Sequence, residues 1–457
     1  MASIVFTFVG EQDPYSPKTE EEGSIVSLLR HLLEQGKQIR KVILLHTEGT
    51  QRGAIETKEW ISLQSDLQLV ETEVYAVSES LSNDPTDLLL AAQEVRKRLE
   101  ELTHTQDHIE FNASSGTPAM KSSFSILQAS GYVKNATVWQ VRNPKQMKAD
   151  QQRVFATDVG VLRREFELQV FRSQVENFNY DGAYELFSVS DIADHFPQKK
   201  LIGSYLEAGN LWQRSKMDDF KNCIYEYVRG DQQSQFAEWY YLAYEEAYLA
   251  TVRLKQGSIV EAFFHGFRAF EGILAFWAKR EFGVHISEEE NGSIHLKESV
   301  FEERERYFKG AKYKLRNEQS EPDNDIAKLE VKLREFFLKE KNKPEGKKKK
   351  NYLLDFPALR TFFRAIRDDY KVKCPLIKDL LTDKISDKRN VLVHQLSGLS
   401  EQDLYQFWKV SSREEWERTI LEFLNFIAEQ SYSSWDEICL MPAIHQHILT
   451  AIANYQP

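Results

Sequence analysis

From Ile4 to about Asn143, short runs of β-branched and aromatic residues alternate with amphipathic stretches. That rhythm is the one expected of a parallel sheet with helices on its faces. The strands it predicts are 4–9, 41–46, 69–77, 108–113 and 136–141. Helices are predicted over 24–35, 85–102 and 117–130, the last closed by Gly131 in the manner of a C-terminal cap. Beyond about Asp150 the strand pattern fades. Long amphipathic segments rich in Leu, Phe, Tyr, Trp, Glu and Lys take over, at 161–177, 201–229, 236–255, 259–282, 326–341, 356–369 and 413–429. The fold class read from this pattern is α/β plus α: a Rossmann-like N-terminal part and a helical remainder. Residues 342–350, with Pro344, Gly346 and four lysines from Lys347, read as an exposed loop.

At 457 residues the chain is too long for one ordinary core, so two or three domains are expected. A hydrophobic fraction of 42% is enough to build them, and nothing in the composition suggests wholesale disorder. The formal net charge of -11 weighs against a protein that coats nucleic acid over its whole surface, but it leaves room for a local basic groove. Cys223, Cys374 and Cys439 are odd in number and widely spaced, which fits neither a zinc site nor a disulfide framework. The chain opens without a basic leader and holds no apolar run of about 18 residues. A cytoplasmic protein that neither spans nor docks on a membrane is expected.

In an open α/β sheet, ligands sit beyond the carboxyl ends of the strands, where loops and helix N-termini present backbone N–H groups. Two loops stand out there. Gly10-Glu11-Gln12-Asp13-Pro14 follows the first strand. Asn112-Ala113-Ser114-Ser115-Gly116-Thr117-Pro118-Ala119-Met120-Lys121 follows the fourth and leads directly into a helix. Backbone amides, hydroxyls and the helix dipole can converge on a phosphate at such a turn, with Lys121 adding positive charge. A well-capped strand-to-helix turn accounts for the same residues without a ligand. Neither loop is a Walker A or dinucleotide fingerprint.

The Gly-x-x-Asp-Pro loop joined to Asn-x-Ser-x-Gly-Thr-x-x-Met resembles a CARF domain. In that family the two loops bind a ring of 3′-5′-linked adenylates across a two-fold dimer axis. The resemblance implies an activator site of Gly10, Gln12, Asp13, Asn112, Ser114, Ser115, Gly116, Thr117 and Lys121. Gln12 and Asp13 would flank the ligand, and Ser115, Gly116, Thr117 and Lys121 would hold phosphate or ribose. Trp139, Gln140 and Asn143, at the end of the fifth strand, either reach an adenine or are ordinary strand-end residues. Ser114-Ser115 stand where the family often has a second glycine or a threonine, and cleavage of the activator in the pocket stays open.

Near the C-terminus, Arg389-Asn390-Val391-Leu392-Val393-His394 is set in a helical pattern. Leu381, Ile385, Leu392 and Leu396 fall on one stripe, with Asn390 and His394 roughly opposite. Similar Arg–His spacings at Arg40/His46, Arg98/His104 and Arg280/His285 lack that setting. RNA carries its own nucleophile, the 2′-OH, so cleavage needs a group to take one proton and supply another, which histidine does near neutral pH. An arginine braces the added negative charge. A salt-bridged helix surface would show the same residues.

The motif resembles the HEPN ribonuclease signature, and Arg268-x-x-Glu271-Gly272 resembles that family's earlier helix. There, Arg268 and Glu271 could pair within the helix, and His265 reads as a packing histidine more readily than a cleft residue. Taken together, the chain resembles the type III CRISPR-associated CARF–HEPN ribonucleases, Csm/Csx group, in the larger form with a helical linker. The resemblance implies a CARF domain at 1–155, a helical linker at 156–250 and an all-α HEPN domain at 251–457. It also implies a cytoplasmic homodimer cutting single-stranded RNA without metal or cofactor, through Arg389, Asn390 and His394, to leave 2′,3′-cyclic phosphate and 5′-OH ends. The activator would be a cyclic oligoadenylate, with cyclic tetra-adenylate favoured on family frequency, and no DNA or membrane partner is implied. A non-catalytic CARF-controlled regulator is the alternative.

Overall fold

The computed structural model describes residues 2–17, 21–102, 107–133, 135–148, 150–228, 231–290, 292–309, 325–344, 351–367 and 398–455. The chain divides into two compact units, 1–170 and 171–456. In the first, strands β1 (Ser3–Phe8), β2 (Ile39–His46), β3 (Glu71–Ala76), β4 (His108–Asn112), β5 (Ala136–Val141) and β6 (Val154–Thr157) form one sheet in the order β3-β2-β1-β4-β5-β6. All neighbours are parallel except β5 and β6. The connecting helices are α1 (Ser24–Glu34), α2 (Gln51–Leu63), α3 (Glu79–Asn83), α4 (Leu88–Glu100) and α5 (Pro118–Ala129), and α6 (Gly160–Glu176) follows β6.

Period-two alternation builds two cores from one strand. Ile4, Phe6 and Phe8 of β1 pack with Phe111 and with Phe124 of α5, while Val5 and Val9 pack with Ile25, Leu28 and Leu29 of α1. Burying β1 on both faces explains its near-continuous apolar run. The strand order reverses between β1 and β4, so the loops after these two strands open on the same crevice.

The second unit is mainly helical: α7 (Tyr180–Val189), α8 (Lys199–Gln213), α9 (Met217–Ile224), α10 (Asp231–Ala237), α11 (Tyr241–Lys255), α12 (Ile259–Phe282), α13 (Arg304–Tyr307), α14 (Asp325–Lys341), α15 (Phe356–Ile366), α16 (Glu401–Trp408), α17 (Arg413–Ala428) and α18 (Met441–Ala453). It differs from the sequence expectation in several places, among them the segment predicted over 236–255, which is interrupted between Ala237 and Tyr241, and the unpredicted helices α16 and α18. The helix predicted over 201–229 is broken after Gln213, where Ser215 adopts a left-handed φ of 54°. The half expected to be all helix also holds an antiparallel sheet, β7 (Ile286–Glu288), β8 (Ile294–Lys297) and β9 (Asn351–Leu353). Strands of three or four residues are too short to show a period in sequence. Among the described residues no helix is long and apolar enough to cross a membrane.

At the centre of this unit, Glu245 of α11 is 0% exposed. Its carboxylate accepts the Tyr241 hydroxyl at 2.6 Å, the Trp212 indole N–H at 3.0 Å and the Leu440 amide at 2.6 Å, joining α8 and α11 to the start of α18. Burial pushes the group up to about 7 against the partial relief of these hydrogen bonds. A carboxyl raised on folding contributes stability that is whole below its unfolded value of 4.5 and lost as pH rises through about 7. The loss is on the order of 3 kcal/mol. Melting profiles at pH 5 and pH 8 should therefore converge in Glu245→Gln relative to the parent protein. An equal pH dependence in both would contradict the assignment.

Candidate functional site

The crevice is built by a brace. Asp13, 5% exposed, accepts the amides of Gly10 (3.1 Å) and Ile25 (3.2 Å) and a short bond from the Ser115 hydroxyl. One carboxylate thereby ties the loop after β1 to the start of α1 and to the loop after β4. Burial is the largest influence on Asp13 and raises its pKa above the ordinary carboxylate value, with the hydrogen bonds opposing. The loops meet so closely that a Cβ on Gly10 would lie 2.9 Å from Ser115 Oγ and 3.1 Å from the Gly116 amide nitrogen. Gly116 itself turns with φ of 88°, a conformation that suits glycine.

Hydrogen bonding sorts the predicted residues into supports and available groups. Asn112, fully buried, donates to Thr7 and Ser24 and accepts the Ser114 amide, so it orients the loop from beneath. The Thr117 hydroxyl accepts the Met120 amide as the cap of α5 and donates to the Pro85 carbonyl. Ser114 Oγ accepts the Val141 amide at 2.6 Å, which leaves its proton for a ligand. Ser24 Oγ likewise serves as an acceptor, from Asn112. The amides of Ser115, Gly116 and Thr117 meet no protein acceptor among the described residues, and Lys121 meets no carboxylate there. Three free N–H groups, the positive end of α5 and a lysine thus converge on one place.

That place is a cavity of 440 Å³ holding Gly10, Gln12, Asp13, Ser114, Ser115, Gly116, Thr117 and Lys121. A second cavity of 350 Å³ shares Gln12, Ser24, Ser114 and Lys121 with it and adds Arg142, Asn143, Lys145 and Arg153. Asn143 reaches this extension, with its Oδ1 accepting the Lys145 amide. Trp139 and Gln140 line neither cavity. The Trp139 indole lies buried in the sheet core, donating to Glu110 at 2.6 Å, with Lys37 over its ring at 5.3 Å. Glu110 has claimed the only N–H that ring could offer an adenine.

The structure adds residues that the sequence reading missed. Thr47, Gly49 and Thr50, after β2, line the first cavity. Their signal was present: hydroxyl residues directly after a parallel strand, on the same carboxyl edge. Arg142 directly follows β5, and Arg153, whose carbonyl accepts the Arg142 amide, directly precedes β6, a strand of four residues whose pattern was too brief to read.

In the helical unit, Arg389, Asn390 and His394 lie outside the described residues. On α12, Arg268 ion-pairs across to Glu246 of α11 at 3.3 Å. Glu246 also takes His265 Nδ1 at 2.9 Å and the Ser215 hydroxyl at 3.3 Å. His265 is thus a partnered packing residue, and Arg268 binds α11 to α12. Three donors on one carboxylate make this cluster a brace between helices.

No protein-family model matches the chain. No curated protein matches it in sequence. Among solved structures, VC1899 from Vibrio cholerae aligns at 12% identity over 65% of this chain and 73% of its own, but its TM-score of 0.22 carries no argument. Csm6 from Enterococcus italicus, bound to cyclic hexa-2′-fluoro-hexa-dAMP, aligns at 16% identity over 99% of this chain and 100% of its own, with a TM-score of 0.65. From end to end, the chain has the fold of Enterococcus italicus Csm6.

Proposed function

We propose that this protein is a metal-independent endoribonuclease of type III CRISPR defence, switched on by a cyclic oligoadenylate. The observation that carries the reading is the convergence of three unsatisfied amides, the Ser114 hydroxyl and Lys121 at the sheet's switch point, in a chain with the Csm6 fold. An anionic, ring-shaped ligand suits the unsatisfied amides and Lys121 of this cavity and the Arg142 and Arg153 that continue it, while Glu11, Glu21 and Glu22, which share the lining, limit where its phosphates can lie. The domain limits stay at 1–155, 156–250 and 251–457, with the activator in the first and RNA cleavage in the last.

In this reading Arg389 and His394 act on single-stranded RNA. His394 takes the 2′-OH proton or supplies one to the departing 5′-oxygen, Arg389 stabilises charge on the phosphorane, and Asn390 orients the pair. The 2′-oxygen bonds to phosphorus as the P–O5′ bond breaks, leaving a 2′,3′-cyclic phosphate and a 5′-OH. Two protomers supply one Arg/His pair each, so the homodimer is the working unit. A ligand on the two-fold axis biases the placement of the protomers and with it the spacing of the pairs.

A two-fold site favours an even ring. Family frequency favours four adenylates, whereas the Enterococcus italicus protein was bound to a six-membered analogue. Calorimetric titration with cyclic tetra-adenylate, cyclic hexa-adenylate and a linear oligoadenylate decides between them. One ring per dimer is expected, with no heat from the linear form; no binding of either ring would overturn the reading. Decay of RNA cleavage at fixed activator would show that the pocket also cuts its ligand. Lys121→Ala should raise the activator concentration for half-maximal cleavage about tenfold, the loss of one charge-assisted contact. An unchanged value would remove Lys121 from the site.

A further inference from the structure

Helices α4 and α5 pack side by side and begin together at the rim of the activator cavity. Asp87 caps the first by accepting the Leu90 amide, and Thr117 caps the second by accepting the Met120 amide. The Thr117 hydroxyl donates to the Pro85 carbonyl and so holds the two ends together, and both residues line the cavity. From that rim onward the solvent face of the pair is uncharged. Leu88, Leu89 and Gln93 are exposed on α4, and Pro118, Ser122 and Ile126 on α5, with Leu89 65% and Ile126 45% accessible. The charged residues in these stretches turn elsewhere: Glu94 is buried and accepts the Ser78 amide, and Lys121 lines the cavity. Charge returns at Arg96, which is ion-paired with Glu100 at 3.0 Å.

In a chain where 28% of residues are charged, two neighbouring helices with a neutral outer face bearing leucine and isoleucine mark a contact surface. A helix that faces only water carries polar and charged residues there. The occupant follows from what the face adjoins. A two-fold contact sets a patch against its own copy, so any charge in it meets its like. An uncharged patch beside a cavity that takes a two-fold ligand meets its copy without that repulsion. The face is small. About 13 Å along each helix and about 10 Å across each give on the order of 300 Å² a side, against roughly 800 Å² a side for a stable interface. Contact there is weak by itself, and a ring held by both protomers completes it.

We propose that the α4/α5 face docks on the same face of a second copy, so that activator binding and pairing of the N-terminal units reinforce each other. The inference rests on the cyclic oligoadenylate reading above and adds the surface through which the ring draws two protomers together.

The test uses the full chain. Leu89→Cys, Gln93→Cys, Ser122→Cys and Ile126→Cys, each alone, are treated with a short bis-maleimide, with and without cyclic tetra-adenylate or cyclic hexa-adenylate. The parent, with Cys223, Cys374 and Cys439, gives the background. Covalent dimer above that background is expected from at least one position, in a yield that increases with the ring. Leu89→Glu combined with Ile126→Glu sets carboxylates against carboxylates across the contact. It should raise the activator concentration for half-maximal cleavage about tenfold at an unchanged melting temperature. Leu63→Glu, at an exposed position of α2 on the opposite face of the sheet, should change neither. Covalent dimer no greater than background at all four positions would leave the face to another protein and overturn the proposal. An unchanged activator response in the double glutamate variant would overturn it as well. Failure of the activator reading shows differently: covalent dimer would form in equal yield with and without either ring.

Discussion

Replacing His394 by alanine should lower activator-dependent RNA cleavage roughly 10³-fold or more, within the range that a positioned acid or base contributes. Arg389→Ala should cost a similar factor, because the phosphorane then gathers charge with no fixed cation to meet it. Both variants should bind activator as the parent does, since the amides and Lys121 that would hold it belong to the other unit. Single-turnover cleavage assays with parallel calorimetry read the two quantities separately. Cleavage within tenfold of the parent in both variants would place the chemistry elsewhere.

The second large effect is expected at Gly10. A valine there puts its Cβ 2.9 Å from Ser115 Oγ and 3.1 Å from the Gly116 nitrogen, and its two methyl groups only add to the crowding. Ser115 can swing aside, but the Gly116 backbone cannot move without carrying the unsatisfied amides with it. The loops should separate, the Asp13 brace should open, and the activator concentration for half-maximal cleavage should rise about 100-fold, equivalent to about 3 kcal/mol of binding. A change of less than threefold, in protein whose melting temperature matches the parent, would show that the close approach of the loops does not shape the site.

Much of the α/β unit was legible in the sequence because its central strands β1, β2 and β4 are buried on both faces and give near-continuous apolar runs. Strand β5 was read to its last residue, and β1 and β4 within a residue at each end. Helix α2 was not read: from Gln51 to Leu63 only Ala54, Thr57 and Ile61 are buried, too thin a stripe to stand out. Strand β6 and the three strands of the small sheet were missed because each has four residues or fewer.

The site was legible in part. The loops after β1 and β4 were identified, and the structure brings them together in one cavity. Their division of labour was not readable. Asp13 and Asn112 look like ligand residues in sequence, and only hydrogen-bond geometry shows their polar atoms turned inward. Trp139 looked available for stacking because it stands near a strand end, but its pairing with Glu110 depends on the neighbouring strand. In the helical unit, Arg268 was expected to pair three residues along its own helix, whereas the two-helix packing offers it Glu246. Each of these differences comes from contacts distant in sequence.

The most direct measurement of the central claim is cleavage of a fluorogenic single-stranded RNA in EDTA, with and without cyclic tetra-adenylate or cyclic hexa-adenylate, by the parent protein and by His394→Ala. Cleavage that requires one of the rings, survives the chelator and disappears in the variant is the predicted result. Cleavage that needs no ring, that stops in EDTA or that persists in His394→Ala would contradict it.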